Sequence, residues 1–162
     1  MVKSSANPVH GVLIAIGEIG LLLRGPSGTG KSECALALLL RGHCLVADDV
    51  VEVAEDPASG GLVGASPAAL AGRIEVPEVG IIDVQRIFGG AALRARQRID
   101  AVVDLVPPTS RDRRHRSVDP VASTSLRGHT LPAYALRATG VTALANRLEV
   151  IARLLQAGMR DT

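Results

Sequence analysis

The string Gly25-Pro26-Ser27-Gly28-Thr29-Gly30-Lys31-Ser32 constrains what this chain can fold into more than any other stretch. It fits G-x-x-x-x-G-K-[ST] in full, and its context is right. Ile19–Leu23 ahead of it reads as a short buried strand, and the segment from about Gly30 to Arg41 is strongly helical in propensity, with Gly42 as its stop. A strand that runs through a glycine-rich loop into a helix is a building unit of α/β domains. The glycines let successive backbone N–H groups turn inward around phosphate oxygens, and the helix N-terminus adds partial positive charge. Lys31 is placed to reach the β- and γ-phosphates of a nucleotide, and the Ser32 hydroxyl to sit on Mg²⁺. The motif is silent about what happens to the phosphate.

The 162 residues suit one domain with a real core and leave no room for a second full one. With 47% hydrophobic and 21% charged residues, the chain is expected to fold rather than stay disordered. Aromatics are only 1%, so Val, Leu, Ile and Ala must build the core. That scarcity also speaks against nucleic acid as a partner, since single strands bind on aromatic stacking platforms. The net charge of +2 says little about partners. Cys34 and Cys44 lie in apolar surroundings at no metal-ligand spacing and read as buried free thiols, which suits a reducing compartment. Met1–Pro8 has no signal-peptide core, and no apolar run approaches the roughly 18 residues of a membrane span. A soluble, cytoplasmic protein with no membrane association is the expectation.

Along the chain, Val9–Ile16 reads as one strand and Gly17-Glu18 as a turn. His43–Ala47 reads as an apolar strand ending at Asp48-Asp49, Val50–Ala54 as a further strand, Glu55–Gly61 as a turn and Ser66–Arg73 as a short helix. Ile74–Val84, interrupted by Pro77 and Gly80, reads as a loop or an irregular strand, and Gln85–Gly90 as a short turn of helix. Ala91–Val106 reads as one long strand or two, because Arg94, Arg96 and Arg98 alternate with Leu93, Ala95 and Gln97. Pro107–Pro120 should be exposed, Leu131–Ala138 a short connection, and Val141–Gly158 an amphipathic C-terminal helix. The fold class is therefore α/β, a P-loop core closed by a C-terminal helix. Its sheet should be mixed, since arginine-bearing strands do not suit a purely parallel one.

Asp48-Asp49 ends an apolar strand, where a metal-supporting carboxylate belongs in a P-loop protein. Ligands of α/β sheets lie outside the carboxyl ends of the strands. Strand alternation points the two side chains in different directions, one toward Mg²⁺ or its water and the other toward a substrate hydroxyl. Neighbouring carboxylates also raise each other's proton affinity, which helps one of them act as a base. A double aspartate at a strand end can equally be a solvated turn. His10, Glu75, Asp83 and the arginines of the 111–116 run are open to both structural and functional readings from the residues alone.

Taken together, His10-Gly11-Val-Leu-Ile, Gly25–Glu33 and Arg41-Gly-His-Cys-Leu-Val-Ala-Asp-Asp49 resemble the catalytic domain of bacterial HPr kinase/phosphorylase. So does Ile74-Glu75-Val-Pro-Glu-Val-Gly-Ile-Ile-Asp83-Val, followed by Ile87-Phe88-Gly89, and the likeness runs from about His10 to Ala138 in unchanged order. The resemblance implies a P-loop kinase-type core with a mixed β-sheet, and phosphorylation of a serine of the phosphocarrier protein HPr with ATP and Mg²⁺. It also implies the reverse attack of inorganic phosphate on phosphoserine, which yields pyrophosphate. Carried over by position, it makes His10 a catalytic-site histidine, Lys31 the phosphate-contacting lysine, and Ser32 and Glu75 Mg²⁺ ligands. Asp49 becomes the group that takes the serine proton, with Asp48 supporting the metal and the geometry. Arg113 is the best match to the arginine that completes the site, with Arg114 and Arg116 as alternatives. A hexameric homo-oligomer is implied as well.

Three departures from the family pattern stand out. The sequence begins at the catalytic part, so 1–162 is expected to be a single catalytic domain without an N-terminal regulatory one, resembling a shortened proteobacterial form. Pro77-Glu78 replaces the family's Arg-Gly, and the arginine of the later segment falls in a region of changed length. The segment Pro132–Arg137, tied in the family to dephosphorylation, keeps only its proline and final arginine. The competing readings are a P-loop small-molecule kinase or ATPase, with 111–116 as a lid, and a nucleotide-binding regulator without catalysis.

Overall fold

A computed structural model describes residues 7–111 and 122–160. Its elements are β1 (Asn7–His10), β2 (Val12–Ile16), β3 (Ile19–Arg24), α1 (Lys31–Leu40), β4 (Cys44–Ala47), β5 (Val50–Glu55), β6 (Leu62–Ala65) and β7 (Arg73–Val76). They continue with β8 (Gly80–Asp83), α2 (Val84–Phe88), β9 (Gln97–Arg98), β10 (Ala101–Val106), β11 (Ser123–Leu126), β12 (His129–Arg137) and α3 (Val141–Arg160). Six strands form one sheet in the order β11-β12-β10-β3-β2-β4. β3, β10 and β12 are parallel neighbours, while β11, β2 and β4 pair antiparallel, so the sheet is mixed as expected. A second, antiparallel sheet has the order β1-β5-β6-β9, and β7-β8 form a separate hairpin.

Period-two alternation sorts the apolar side chains of the large sheet between two cores. Val12, Ile14, Ile19, Leu21, Leu23, Ala101, Val103 and Leu105 pack with Cys34, Ala35 and Leu38 of α1 and with Leu144, Ala145 and Leu148 of α3. Leu13, Ala15, Leu22 and Val102 share the other core with Val51, Val53 and Leu62 of the smaller sheet. Both faces of β2, β3 and β10 are thus covered, which is why their sequences read as apolar runs rather than as alternation. α1 ends where Gly42 takes φ +90° and the His43 N–H reaches back to the Leu38 carbonyl at 2.9 Å. Arg41 and His43 both bond Glu149, fastening that end of α1 to α3. The Arg41 hydrogen bond first, and His43 second, hold the Glu149 carboxyl below its usual range.

Several expectations change. Val9–Ile16 is not one strand: it breaks at Gly11, and its halves join different sheets. Ser66–Arg73 holds only a three-residue 3-10 turn, Ala68–Leu70, confined between Pro67 and the left-handed Gly72. Ile74–Val84 is mostly the β7–β8 hairpin, whose turn carries Pro77 and Glu78. Of the two readings of Ala91–Val106 the two-strand one holds, with β9 and β10 confined to its second half, because the chain passes from one sheet to the other between them. Asp100 governs that passage: its N–H donates to the Gly20 carbonyl and its carboxylate accepts from the Gly20 N–H, each at 2.8 Å. Leu131–Ala138 is not a connection but lies largely within β12, an interior strand paired with β10 and β11. Leu62–Ala65 and Ser123–Leu126 are strands that the sequence reading does not identify. Cys34 is buried, and burial first and Glu33 second push its thiol up to about 11, so it is inert; Cys44 is only partly buried, with Sγ 3.2 Å from the Ala91 carbonyl.

Burial pushes the Asp100 carboxyl above its usual range, against the opposing pull of the Gly20 N–H and Arg98. The unfolded chain therefore loses this proton at lower pH than the folded one. Stability should fall as pH rises from the ordinary carboxylate value through the raised one, with the penalty complete above it. Asp100→Asn keeps an acceptor for the Gly20 N–H and is expected to remove that fall. Asp100→Ala strands the N–H and should cost about 1–3 kcal/mol. Urea unfolding from acid to neutral pH checks both.

Candidate functional site

β4 is antiparallel to β2, which is antiparallel to β3, so β3, β4, β10 and β12 all point one way. Their carboxyl ends therefore gather the Gly25–Ser32 loop, Asp48-Asp49, the Pro107–Ser110 turn and Arg137 at one edge of the sheet. The start of β2 faces the end of β3, Val12 opposite Leu23, which brings His10 and Gly11 to the same edge.

The phosphate loop has the backbone its glycines predict. Gly25, Gly28 and Gly30 take φ values of +146°, +85° and +94°. Gly30 caps α1 without a side-chain bond, so it leaves the helix N-terminus free of a side-chain acceptor of its own. Thr29 closes the loop through its hydroxyl, which donates to the Pro26 carbonyl at 2.7 Å. The Lys31 ammonium folds back over the loop and donates to the carbonyls of Gly25 at 2.7 Å and Pro26 at 3.0 Å.

The two aspartates face different partners, but a tight turn rather than strand pleat separates them. The Val50 N–H donates to the Asp48 carbonyl at 2.9 Å, and Asp49 between them takes φ +73°. Asp48 is held by Ser32, whose hydroxyl donates to Oδ1 at 2.7 Å, and by the Glu75 N–H, which donates to Oδ2 at 3.2 Å. It thus ties the start of α1 to β7. Asp49 Oδ1 lies 3.4 Å from His10 Nδ1, with the two side chains 67% and 79% exposed. The register that places His10 opposite Val50 sets this pair side by side.

Hydroxyl and carboxylate oxygens make up the set Ser32, Asp48 and Glu75, hard donors that suit Mg²⁺. Among the described residues no three His, Cys, Asp or Glu form a metal cage. Mg²⁺ is ordinarily held by one or two carboxylates plus phosphate oxygens, so the residues present fit it. Arg113, with its alternatives Arg114 and Arg116, lies outside the described residues.

Sequence reasoning missed a brace beneath the loop. Arg24, the last residue of β3, grips Asp104 of β10 through two bonds, Nε to Oδ1 at 2.8 Å and Nη2 to Oδ2 at 3.1 Å. The only sequence signal was an isolated charge in each of two apolar strands. Arg137 plays a related part, donating from Nε to the Ser110 carbonyl at 2.9 Å and so holding the root of the arginine-rich segment.

Left-handed backbone costs an L-residue about 1–2 kcal/mol, less for aspartate. Because the Asp49 side chain is mostly exposed, Asp49→Gly should raise stability by about 0.5–1 kcal/mol, whereas Asp49→Val should lower it. Urea midpoints of the two variants test the strain directly.

Comparison with known proteins adds a lineage to this geometry. The family described as HPr Serine kinase C-terminal domain matches residues 3–160. HPr kinase/phosphorylase of Levilactobacillus brevis is 50% identical over 97 residues, 60% of this chain and 31% of that protein. The Bordetella pertussis protein of the same name is 43% identical over 108 residues, 67% of this chain and 35% of that protein. The chain thus spans about a third of these curated relatives in its matched part. The structure of the Hpr(Ser) kinase/phosphatase from Coxiella burnetii matches with a TM-score of 0.85 and 28% identity, over 96% of this chain and 93% of that one.

Proposed function

The chain belongs to the HPr Serine kinase C-terminal domain family, and from that premise we propose that it transfers the γ-phosphoryl group of ATP to a serine of HPr. The observation that carries this reading is the juxtaposition, at one sheet edge, of a complete phosphate loop with an exposed Asp49–His10 pair. An open carboxylate suits a hydroxyl presented on a protein surface better than a small metabolite enclosed in a pocket.

In the proposed reaction Lys31 exchanges the Gly25 and Pro26 carbonyls for phosphate oxygens, and the N-terminus of α1 holds the adjoining phosphates. Ser32 and Glu75 would hold Mg²⁺, with Asp48 orienting both, and the ion neutralises charge on the phosphates when bound. Asp49 accepts the serine proton as the hydroxyl oxygen bonds to the γ-phosphorus. The bond to the β-phosphate oxygen breaks with its electron pair leaving on ADP. His10 orients the Asp49 carboxylate, and Arg113 offsets charge in the transition state. In the reverse direction an oxygen of inorganic phosphate bonds to the phosphoserine phosphorus as the bond from that phosphorus to the serine oxygen breaks; Asp49 relays the proton of the attacking hydrogen phosphate to the serine oxygen, and pyrophosphate leaves. The proposal extends to a cytoplasmic enzyme that assembles as a homo-oligomer, hexameric by resemblance. Among the described residues no helix is long and apolar enough to cross a membrane.

Incubation with ATP, Mg²⁺ and purified HPr should yield phosphoserine on HPr. Brisk transfer to a small metabolite with HPr untouched would favour the small-molecule kinase instead. Asp49→Asn is expected to lower kcat by about 10²–10⁴-fold while nucleotide affinity changes by less than about threefold. Lost nucleotide binding in that variant would assign Asp49 to the metal or the fold. Phosphate added to phosphorylated HPr should release pyrophosphate; if none forms, Pro77-Glu78 is the first place to restore the family's residues.

A further inference from the structure

Gly11 is buried between β1 and β2, where the chain leaves the smaller sheet for the larger one. Its N–H donates to the Asp49 carbonyl at 3.0 Å. A Cβ on Gly11 would sit 2.5 Å from the Leu23 carbonyl oxygen and 3.4 Å from Leu22 Cδ1. The first of these is closer than real Cβ atoms come to backbone, and Leu23 belongs to a strand paired on both sides that cannot yield cheaply. Asp49 meanwhile keeps its left-handed φ of +73°, a conformation that a non-glycine residue holds only when its surroundings over-determine it.

We propose that Gly11 is a positioning residue for phosphoryl transfer: its N–H pins the Asp49 carbonyl and so aims the carboxylate at His10. The inference rests on the assignment of Asp49 as proton acceptor. Only a residue without a side chain lets the β1–β2 junction run close enough to β3 for that bond. Any Cβ pushes the junction away from Leu23, draws the N–H off Asp49 and shifts His10, the residue next to it. Asp48 is held instead by Ser32 and the Glu75 N–H, neither of which involves Gly11. Displacing Gly11 should therefore spare the nucleotide end of the site and damage the acceptor end.

The test is a double-mutant cycle on the full chain. Gly11→Ala should lower kcat for HPr phosphorylation by at least about 30-fold with the nucleotide Kd within about twofold. In an Asp49→Asn background the same substitution should change the residual rate by less than about twofold. Equal losses in the two backgrounds, or near-wild-type kcat in Gly11→Ala, overturn the role. Amide hydrogen exchange of the unmodified chain is the second measurement and holds even where Gly11→Ala does not fold. The Gly11 amide should exchange at least about 100-fold more slowly than exposed loop amides, and loop-like exchange overturns the bond to Asp49. A wild-type chain inert toward HPr sinks the proposed function, and the positioning bond is then decided by exchange alone.

Discussion

β3 runs between β2 and β10 with both faces covered, and Leu21, Leu22 and Leu23 are each 0% exposed. Full burial of such side chains contributes about 1.5–3 kcal/mol apiece, and the paired backbone on either side leaves the strand nowhere to move. Its carboxyl end is therefore the fixed point from which the site is built. Gly25 leaves it so near β10 that a Cβ there would lie 2.5 Å from the Leu105 carbonyl oxygen. Arg24 at its tip is clamped to Asp104, and the His10-Gly11 corner lies against Leu23.

Because these approaches share one rigid strand, the phosphate loop and the acid pair do not drift relative to each other. Asp48 adds a direct tie, with one carboxylate oxygen bonded by the Ser32 hydroxyl and the other by the Glu75 N–H. The glycine-rich Gly25–Ser32 loop and a hairpin that carries a candidate metal ligand are thereby joined through a single side chain. The cost of that preorganisation is local, a left-handed backbone at the neighbouring Asp49.

That left-handed residue also divides the site in two. Asp48 turns toward Ser32 at the start of α1 and Asp49 toward solvent and His10, though they are adjacent in sequence. Both oxygens of Asp48 are engaged, by the Ser32 hydroxyl and the Glu75 N–H, while the Asp49 carboxylate stays open to a group from outside. The exposed His10–Asp49 pair adds little to stability, since ion pairs in water contribute at most about 1 kcal/mol. Its geometry is instead inherited from β1–β5 pairing, which places His10 opposite Val50.

What the sequence by itself determined was everything carried by local signals: the glycine pattern of the phosphate loop, β3 before it, α1 with its Gly42 stop, β4 ending at the acid pair, and α3. Dense glycine, helical propensity and uninterrupted apolar runs need no distant partner to be read. Only the tertiary structure decided where the chain changes sheets, at Gly11, at Asp48-Asp49 and again at Asp100, because period-two patterning is the same for either sheet. β12 escaped notice for the same kind of reason: Pro132 and partial burial hide a strand whose place is set by pairing with β10 and β11. The joining of His10 to Asp49, of Asp48 to Ser32 and Glu75, and of Arg24 to Asp104 follows from those long-range pairings. His10, Ser32, Asp48, Asp49 and Glu75 were legible as candidates in the sequence, Arg24 and Asp104 were not, and none of the distances was, since a strand's partners are chosen by burial across the whole sheet and not by its neighbours in the chain.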